Sequence, residues 1–106
     1  MARVLLTVPA TAQRGEIIEI RAAIAHPMET GYRRGADGQR LPREILRRFA
    51  CRLDGDLVFA AELFPAVAAN PYLAFHLRAT RSGTLTFTWE GDAGFAQTET
   101  ARLTVA

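Results

Sequence analysis

Lysine is absent from this chain: all 13 of its basic residues are arginine. A planar guanidinium forks onto carboxylates and oxyanions where an ammonium acts as a point charge, so the chain's electrostatic contacts are of the forked kind. Cysteine is nearly absent as well. Cys51 stands alone, which excludes an internal disulfide. The two histidines, His26 and His76, have no neighbour at HxH or HxxxH spacing and no cysteine at metal spacing, so no zinc-type ligand set is written in the sequence. There is no glycine-rich phosphate loop between a strand and a helix, and the 11 carboxylates are scattered rather than paired for acid–base work. No apolar run approaches the ~18 residues of a membrane span, and sustained helical periodicity is missing. These absences leave no cofactor or metal to expect, no membrane, and little support for an enzyme active site.

What is present fits one small globular domain over residues 1–106. Apolar residues make up 49% and charged residues 23%, which is ordinary usage and argues against disorder. A chain of this length buries about 60–65% of its unfolded surface, enough for one two-layer core. The N-terminus superficially mimics a signal peptide, with Arg3, then Val4-Leu5-Leu6, then Ala10-Thr11-Ala12. Thr7 and Pro9 interrupt it, however, and it falls short of the ~7–15 residues of an apolar core region. Val4, Leu6 and Val8 alternate instead, as in a half-buried strand. No targeting signal is therefore expected.

Period-two alternation recurs along the chain. Ile18, Ile20, Ala22 and Ile24 share one face of a second run, and Arg47, Phe49, Cys51 and Leu53 are predicted to share a face of a third. Asp54-Gly55 then marks a tight hairpin, because both turn positions tolerate positive φ, and the return strand is expected over 57–64. Leu73, Phe75, Leu77 and Ala79 form the next face, followed by Ser82-Gly83. Leu85, Phe87 and Trp89 alternate with Thr84, Thr86 and Thr88, the clearest in/out pattern of all. After the turn at Asp92-Ala93-Gly94, Ala101, Leu103 and Val105 point inward in the last run. Seven short strands in this length predict an all-β, seven-stranded antiparallel immunoglobulin-like β-sandwich, held by packing alone.

Two stretches break the rhythm. Residues 26–44 carry three glycines and two prolines, and structureless connections longer than ~12–15 residues are uncommon and usually functional. Residues 65–71 end in Asn70-Pro71, a turn-initiating pair. The first stretch opens a run of arginines: Arg33, Arg34, Arg40, Arg43, Arg47, Arg48 and Arg52, opposed within residues 33–52 only by Asp37 and Glu44. That cluster reads either as a solvated face or as an electropositive patch for an acidic protein surface or a small oxyanion. Nucleic acid is the weakest option, since no stacking platform beyond Tyr32 accompanies the arginines. Around the second stretch, Phe64, Val67 and Tyr72 are apolar where full burial is hard to arrange, which marks either a protein interface or core-covering loop residues.

The single-residue candidates all have plain structural readings. Cys51 lies between Phe49 and Leu53 on an apolar face and is expected in the core rather than as a nucleophile. His76 alternates with Tyr72, Ala74 and Arg78 on an outer strand face. His26 precedes a proline at the start of the long loop, where a hydrogen bond fixing that loop is expected and a partner contact is the alternative.

At these two loops the sequence resembles a known family. His26-Pro27-Met28-Glu29-Thr30-Gly31, then Leu41-Pro42-Arg43, then Ala69-Asn70-Pro71-Tyr72-Leu73-Ala74-Phe75, and finally Leu85 to Glu90 before Gly94, are similar in order to the blocks of the SoxZ family. The resemblance runs from about Arg3 to Val105. It implies an immunoglobulin-like, non-catalytic subunit of the SoxYZ sulfur-carrier complex of thiosulfate oxidation. Its SoxY partner would carry the sulfur intermediate on a cysteine in a mobile glycine-rich arm, and other Sox enzymes would make transient contacts. No such arm is present in this sequence, and Cys51 matches no carrier motif. The resemblance also implies a periplasmic protein exported folded with its signal-bearing partner. The partner-binding residues expected are His26, Met28, Glu29, Tyr32, Arg33, Arg34, Arg40 and Arg43 in the first loop, with Phe64, Val67, Asn70 and Tyr72 around the second. Two rival readings stand beside this one: a thiol or redox enzyme using Cys51, and a free-standing homodimeric adhesion or accessory sandwich.

Overall fold

The computed structural model describes residues 2–106; Met1, the first residue of the expected domain, lies outside the described residues. The described residues form eight strands: β1 (Val4–Thr7), β2 (Thr11–Ala12), β3 (Ile17–Ile24), β4 (Leu46–Leu53), β5 (Asp56–Glu62), β6 (Tyr72–Arg78), β7 (Gly83–Gly91) and β8 (Ala96–Val105). They build two sheets, one of three strands in the order β1-β3-β6 and one of five in the order β2-β8-β7-β4-β5. The immunoglobulin-like sandwich expected from the alternation is the observed architecture. Two details differ from the expectation. There are eight strands rather than seven, and β2 runs parallel to β8 (Thr11↔Thr104, Ala12↔Val105) while all other pairs are antiparallel. The chain leaves the small sheet at Pro9, which has no N–H for a ladder, and joins the large sheet two residues on. A two-residue strand has no periodicity to read.

The sandwich is sealed by side chains the alternation selects. Ile18, Ile20, Ala22 and Ile24 on β3 and Leu85, Phe87 and Trp89 on β7 are all buried, as are Phe49, Cys51 and Leu53 on β4. Phe49 is the hub. Its ring lies 5.2 Å from Trp89, 6.3 Å from Phe87, and 6.1 Å from both Phe59 and Phe75, so it joins the two sheets. Where β5 and β6 form the open side, Phe59 stacks on Phe75 at 4.2 Å and 4°. Aromatic contacts of this type add about 0.5–1.5 kcal/mol each beyond their buried area.

The Asp54-Gly55 hairpin forms as its sequence predicts. Both residues have positive φ, 48° and 91°, the signature of a type I′ turn. The Asp54 carboxylate also accepts the Thr84 N–H at 2.9 Å, tying the hairpin to the start of β7.

Residues 26–44 are not structureless. They fold as an irregular two-stranded finger, closed at its base by a reciprocal pair of backbone hydrogen bonds between Glu29 and Glu44 (2.8 and 2.7 Å). Leu41 N–H donating to Arg33 C=O (2.8 Å) and the Arg34↔Arg40 bridge close it further out. The molecule measures 58 × 20 × 20 Å, with a radius of gyration of 16.1 Å against about 13 Å for a compact domain of this length.

Candidate functional site

Where the finger meets the sandwich, β4 does not start cleanly. Leu46 pairs with Gly91 and Arg48 with Glu90, so Arg47 is an extra residue in the ladder. This bulge overturns the expectation that Arg47 shares the core face with Phe49: Arg47 and Arg48 are both exposed, side by side. Bulges commonly re-aim side chains in this way. Gly91 makes the close approach possible, because a Cβ there would sit 2.6 Å from the Ile45 carbonyl oxygen. The chain then turns through Asp92–Gly94, with Ala93 at φ 57°.

Asp92 organises this end. Its carboxylate receives a two-pronged contact from Arg43 at 2.8 Å on each oxygen and accepts the Ile45 N–H at 3.2 Å. Arg47 lies 3.5 Å away. The Arg43 hydrogen bond, with help from the Ile45 N–H and the charges of Arg43 and Arg47, holds the Asp92 carboxyl below the usual carboxylate range. Beside this cluster lies an open cleft of about 360 Å³. Arg43, Arg47, Arg48, Glu62 and Glu90 form its polar side, and Ile45, Leu63, Phe64 and Pro65 its apolar side. The arginine-rich finger base and the start of the second irregular segment, about twenty residues apart in sequence, thus form one surface.

Of the two readings of the arginine cluster, the bare electropositive patch is largely compensated by carboxylates from outside residues 33–52. Arg33 pairs with Glu29 at 2.7 Å, Arg43 and Arg47 share Asp92, and Arg48 stands in register between Glu62 on β5 and Glu90 on β7. Among the described residues, Arg34, Arg40 and Arg52 have neither an ion-pair partner nor a carboxylate in register, and the first two stand at the finger tip. There Arg34 donates to the Gly38 carbonyl at 2.7 Å, and the Arg40 guanidinium lies 5.9 Å from the centre of the Tyr32 ring, which is 77% exposed.

The remaining sequence-selected residues divide between surface and support. His26 is buried, and it stitches the two irregular segments together. Its N–H donates to the Asn70 side-chain oxygen at 2.9 Å, its carbonyl accepts the Asn70 N–H at 2.7 Å, and its Nδ1 accepts the Met28 N–H at 3.3 Å. The hydrogen bond expected to fix the loop is therefore present. Because Nδ1 accepts, the ring proton sits on Nε2, which has no partner among the described residues; burial lowers the pKa of His26, partly opposed by the Glu44 and Asp92 charges. Met28 is buried too, at φ 52°, with its sulfur accepting the Leu46 N–H at 3.2 Å. Both residues support the finger from within rather than facing outward. Val67 is half-buried against the core. Phe64 and Tyr72 are exposed, and Tyr72 lies on the outer face of β6, away from the Phe75 side.

Cys51 has no exposed surface, and desolvation pushes its thiol up to about 12, so on the order of one molecule in 10⁵ carries a thiolate at pH 7. His76 is exposed on β6, 3.7 Å from Glu19. Among the described residues, no three His, Cys, Asp or Glu side chains are grouped to hold a metal ion, and no helix is long and apolar enough to cross a membrane. Sequence reasoning missed Asp92 as the anchor, the bulge at Arg47, and the roles of Glu62, Leu63 and Glu90. The one available signal was Gly91-Asp92 ahead of Ala93-Gly94, which read only as a turn.

Fold and site together define an immunoglobulin-like sandwich with its one thiol sealed inside and a polar-rimmed cleft beside a projecting finger. The chain belongs to the SoxZ family: residues 6–102 match the family described as sulphur oxidation protein SoxZ. None of the curated proteins matches it. Solved structures with the same fold include the sulfur carrier protein SoxY from Chlorobium limicola f thiosulfatophilum, at 11% identity and TM-score 0.69, covering 97% of this chain and 78% of that one. A superoxide reductase (neelaredoxin) from Ignicoccus hospitalis is similar at 15% identity and TM-score 0.75, covering 99% and 82%. A superoxide reductase from Thermotoga maritima, described as putative, is similar at 17% and 0.73, covering 97% and 85%. At these identities the likeness is one of fold.

Proposed function

We propose that this chain is the non-catalytic subunit of a SoxYZ sulfur-carrier complex in thiosulfate oxidation, pairing with a SoxY protein that bears the substrate-carrying cysteine. The observation that carries this reading is the state of Cys51. A thiol with no exposure and a pKa near 12 is a poor nucleophile and a poor carrier, so the reactive sulfur is supplied by another chain. What the domain offers instead is surface. The finger presents Glu29, Tyr32, Arg33, Arg34 and Arg40, and the cleft presents Arg43 and Phe64. His26, Met28 and Asn70 hold these parts in place, Val67 backs the second segment, and Tyr72 adds an exposed ring on the small sheet. Enzymes that load, oxidise and hydrolyse the bound sulfur visit the complex in turn. The compartment proposed is the periplasm, entered folded in the company of the partner; deleting the partner's signal sequence should then empty the periplasmic fraction of both chains.

Co-expression with a SoxY protein is expected to give a stable 1:1 complex on size exclusion, and two separate peaks count against the pairing. The rival thiol chemistry is tested by Cys51→Ala. The folded, partnered variant should support thiosulfate oxidation at the wild-type rate in the reconstituted system, and loss of turnover in a folded complex would return Cys51 to the chemistry. A free-standing homodimer is the reading favoured if the isolated chain is a stable dimer indifferent to SoxY.

A further inference from the structure

The two sheets have four open edges, β1 and β6 on the small sheet and β2 and β5 on the large one. They are not equivalent. β1 has four residues, β2 has two, and β6 carries His76 and Arg78. β5 has seven residues, of which the five from Leu57 to Ala61 are uncharged, and it contains no arginine or proline. Soluble proteins usually blunt an edge of this kind with charge, proline or a covering segment. Here the register skips Val58, a bulge that disturbs only the first half of the strand and leaves Phe59–Glu62 regular.

The orientation of the free groups follows from one hydrogen bond. Leu63 N–H donates to the Arg47 carbonyl at 2.9 Å. Alternation along an antiparallel ladder then directs Ala61 and Phe59 toward β4 as well, and leaves the N–H and C=O of Ala60 and Glu62 pointing away from the sheet. Small side chains at Ala60 and Ala61 let another backbone come close. A hollow of about 140 Å³ lined by Arg48, Ala60, Ala61 and Glu62 continues into the larger cleft through Arg48 and Glu62. Leu57 and Phe64, 53% and 59% exposed, stand at the two ends of the strip.

We infer that the open edge of β5 adds an edge strand of the SoxY partner, so that the two sandwiches share one continuous sheet. The inference rests on the pairing proposed above and adds where and how the partner is held. The occupant is argued from fold: a SoxY protein is the same sandwich over 97% of this chain, so a partner of that architecture has edge strands of its own to offer. Main-chain hydrogen bonds at Ala60 and Glu62 supply the attachment. The cleft supplies an apolar centre with a rim of both charge signs, the make-up of a protein interface rather than of a site for a lone anion.

Amide hydrogen exchange, with and without a SoxY protein, reads this directly. The Ala60 and Glu62 amides should slow at least tenfold in the complex, while those of Phe59 and Ala61, already in the ladder, change little. Ala60→Pro removes the outward donor without touching the β4 ladder, and Ala60→Arg places a charge on the edge with the backbone intact. Both should leave the isolated chain folded and weaken the complex at least tenfold; if the proline variant fails to fold, the arginine variant and the exchange data decide. A wild-type complex in which the Ala60 and Glu62 amides stay as open as in the free chain, or an Ala60→Arg chain that binds like wild type, overturns the inference while the pairing stands. No wild-type complex at all sinks both. A dimer of the isolated chain, abolished by Ala60→Arg and not displaced by SoxY, makes the occupant a second copy and overturns the inference as well.

Discussion

From Phe49↔Trp89 to Leu53↔Leu85, β4 and β7 pair residue for residue, and each inward side chain on them is sealed. Two residues toward the finger the same two strands lose register at Arg47 and end in the ion cluster around Asp92. The two regions are held by different physics. In the middle, non-directional apolar burial closes the fold and seals even a thiol away from solvent. At the end, directional groups set a shape: a forked Arg43–Asp92 contact, a reciprocal His26–Asn70 clasp, and a methionine sulfur on the Leu46 N–H. Packing therefore carries the stability, and the polar end determines how the finger and cleft are presented.

The comparison is broken most severely from the middle. Phe49→Ala removes the ring that contacts Phe59, Phe75, Phe87 and Trp89 and links both sheets. Large-to-small changes at such positions cost about 3–5 kcal/mol, which for a domain of this size lowers Tm by roughly 15–25 °C. Calorimetry checks it, and a fall of only a few degrees would mean that the core is not the common support described here.

The middle was legible from sequence because its rules are local. Leu85, Phe87 and Trp89 against three threonines specify a face by period two alone, and Asp54-Gly55 specifies a turn within two residues. The end was legible only in outline. Finger and second segment were both marked by composition, but Asp92 lies 49 residues from the Arg43 it holds, and nothing near Arg47 announces a bulge. Counting charge within residues 33–52 left a bare positive patch open beside a solvated face because Glu29, Glu62, Glu90 and Asp92 all come from outside that window. Glu29 is a near neighbour of Arg33, but the Asp92, Glu62 and Glu90 partners are set by strand pairing, and a window cannot contain them.

A smaller effect sharpens the contrast through pH. His26 is buried and neutral, with Glu44 and Asp92 the charged groups acting on it. Its folded pKa lies below the ordinary value near 6.5, so the folded state binds fewer protons than the unfolded one as pH falls. The stability this group contributes is complete above about pH 6.5 and is lost progressively on acidification toward the depressed folded pKa. His26→Asn keeps an acceptor near the Nδ1 position for the Met28 N–H and removes the titration. Its Tm is expected to be lower at pH 7.5, from lost packing on Phe95, but to decline less between pH 7 and 5 than that of wild type. Parallel declines in the two proteins would show that His26 does not couple the clasp to protonation.

The smallest expected effect on stability belongs to the finger tip. Arg34 and Arg40 bond a backbone carbonyl and lie against an exposed tyrosine ring, and neither is paired with a carboxylate. Exposed positions of this kind shift stability by less than about 0.5 kcal/mol, so Arg34→Ala with Arg40→Ala should leave Tm within a few degrees of wild type. Association is a different matter. Rim charges act mainly on encounter rates and salt dependence, so under the proposed pairing the double variant should bind a SoxY protein more slowly at low salt, with a shallower fall in rate as salt is added. Dissociation, governed by the buried contact, should barely change. Stopped-flow measurements at two ionic strengths separate the cases: a slower on-rate alone assigns the tip to steering, whereas a faster off-rate with unchanged salt dependence would move the arginines into the interface itself.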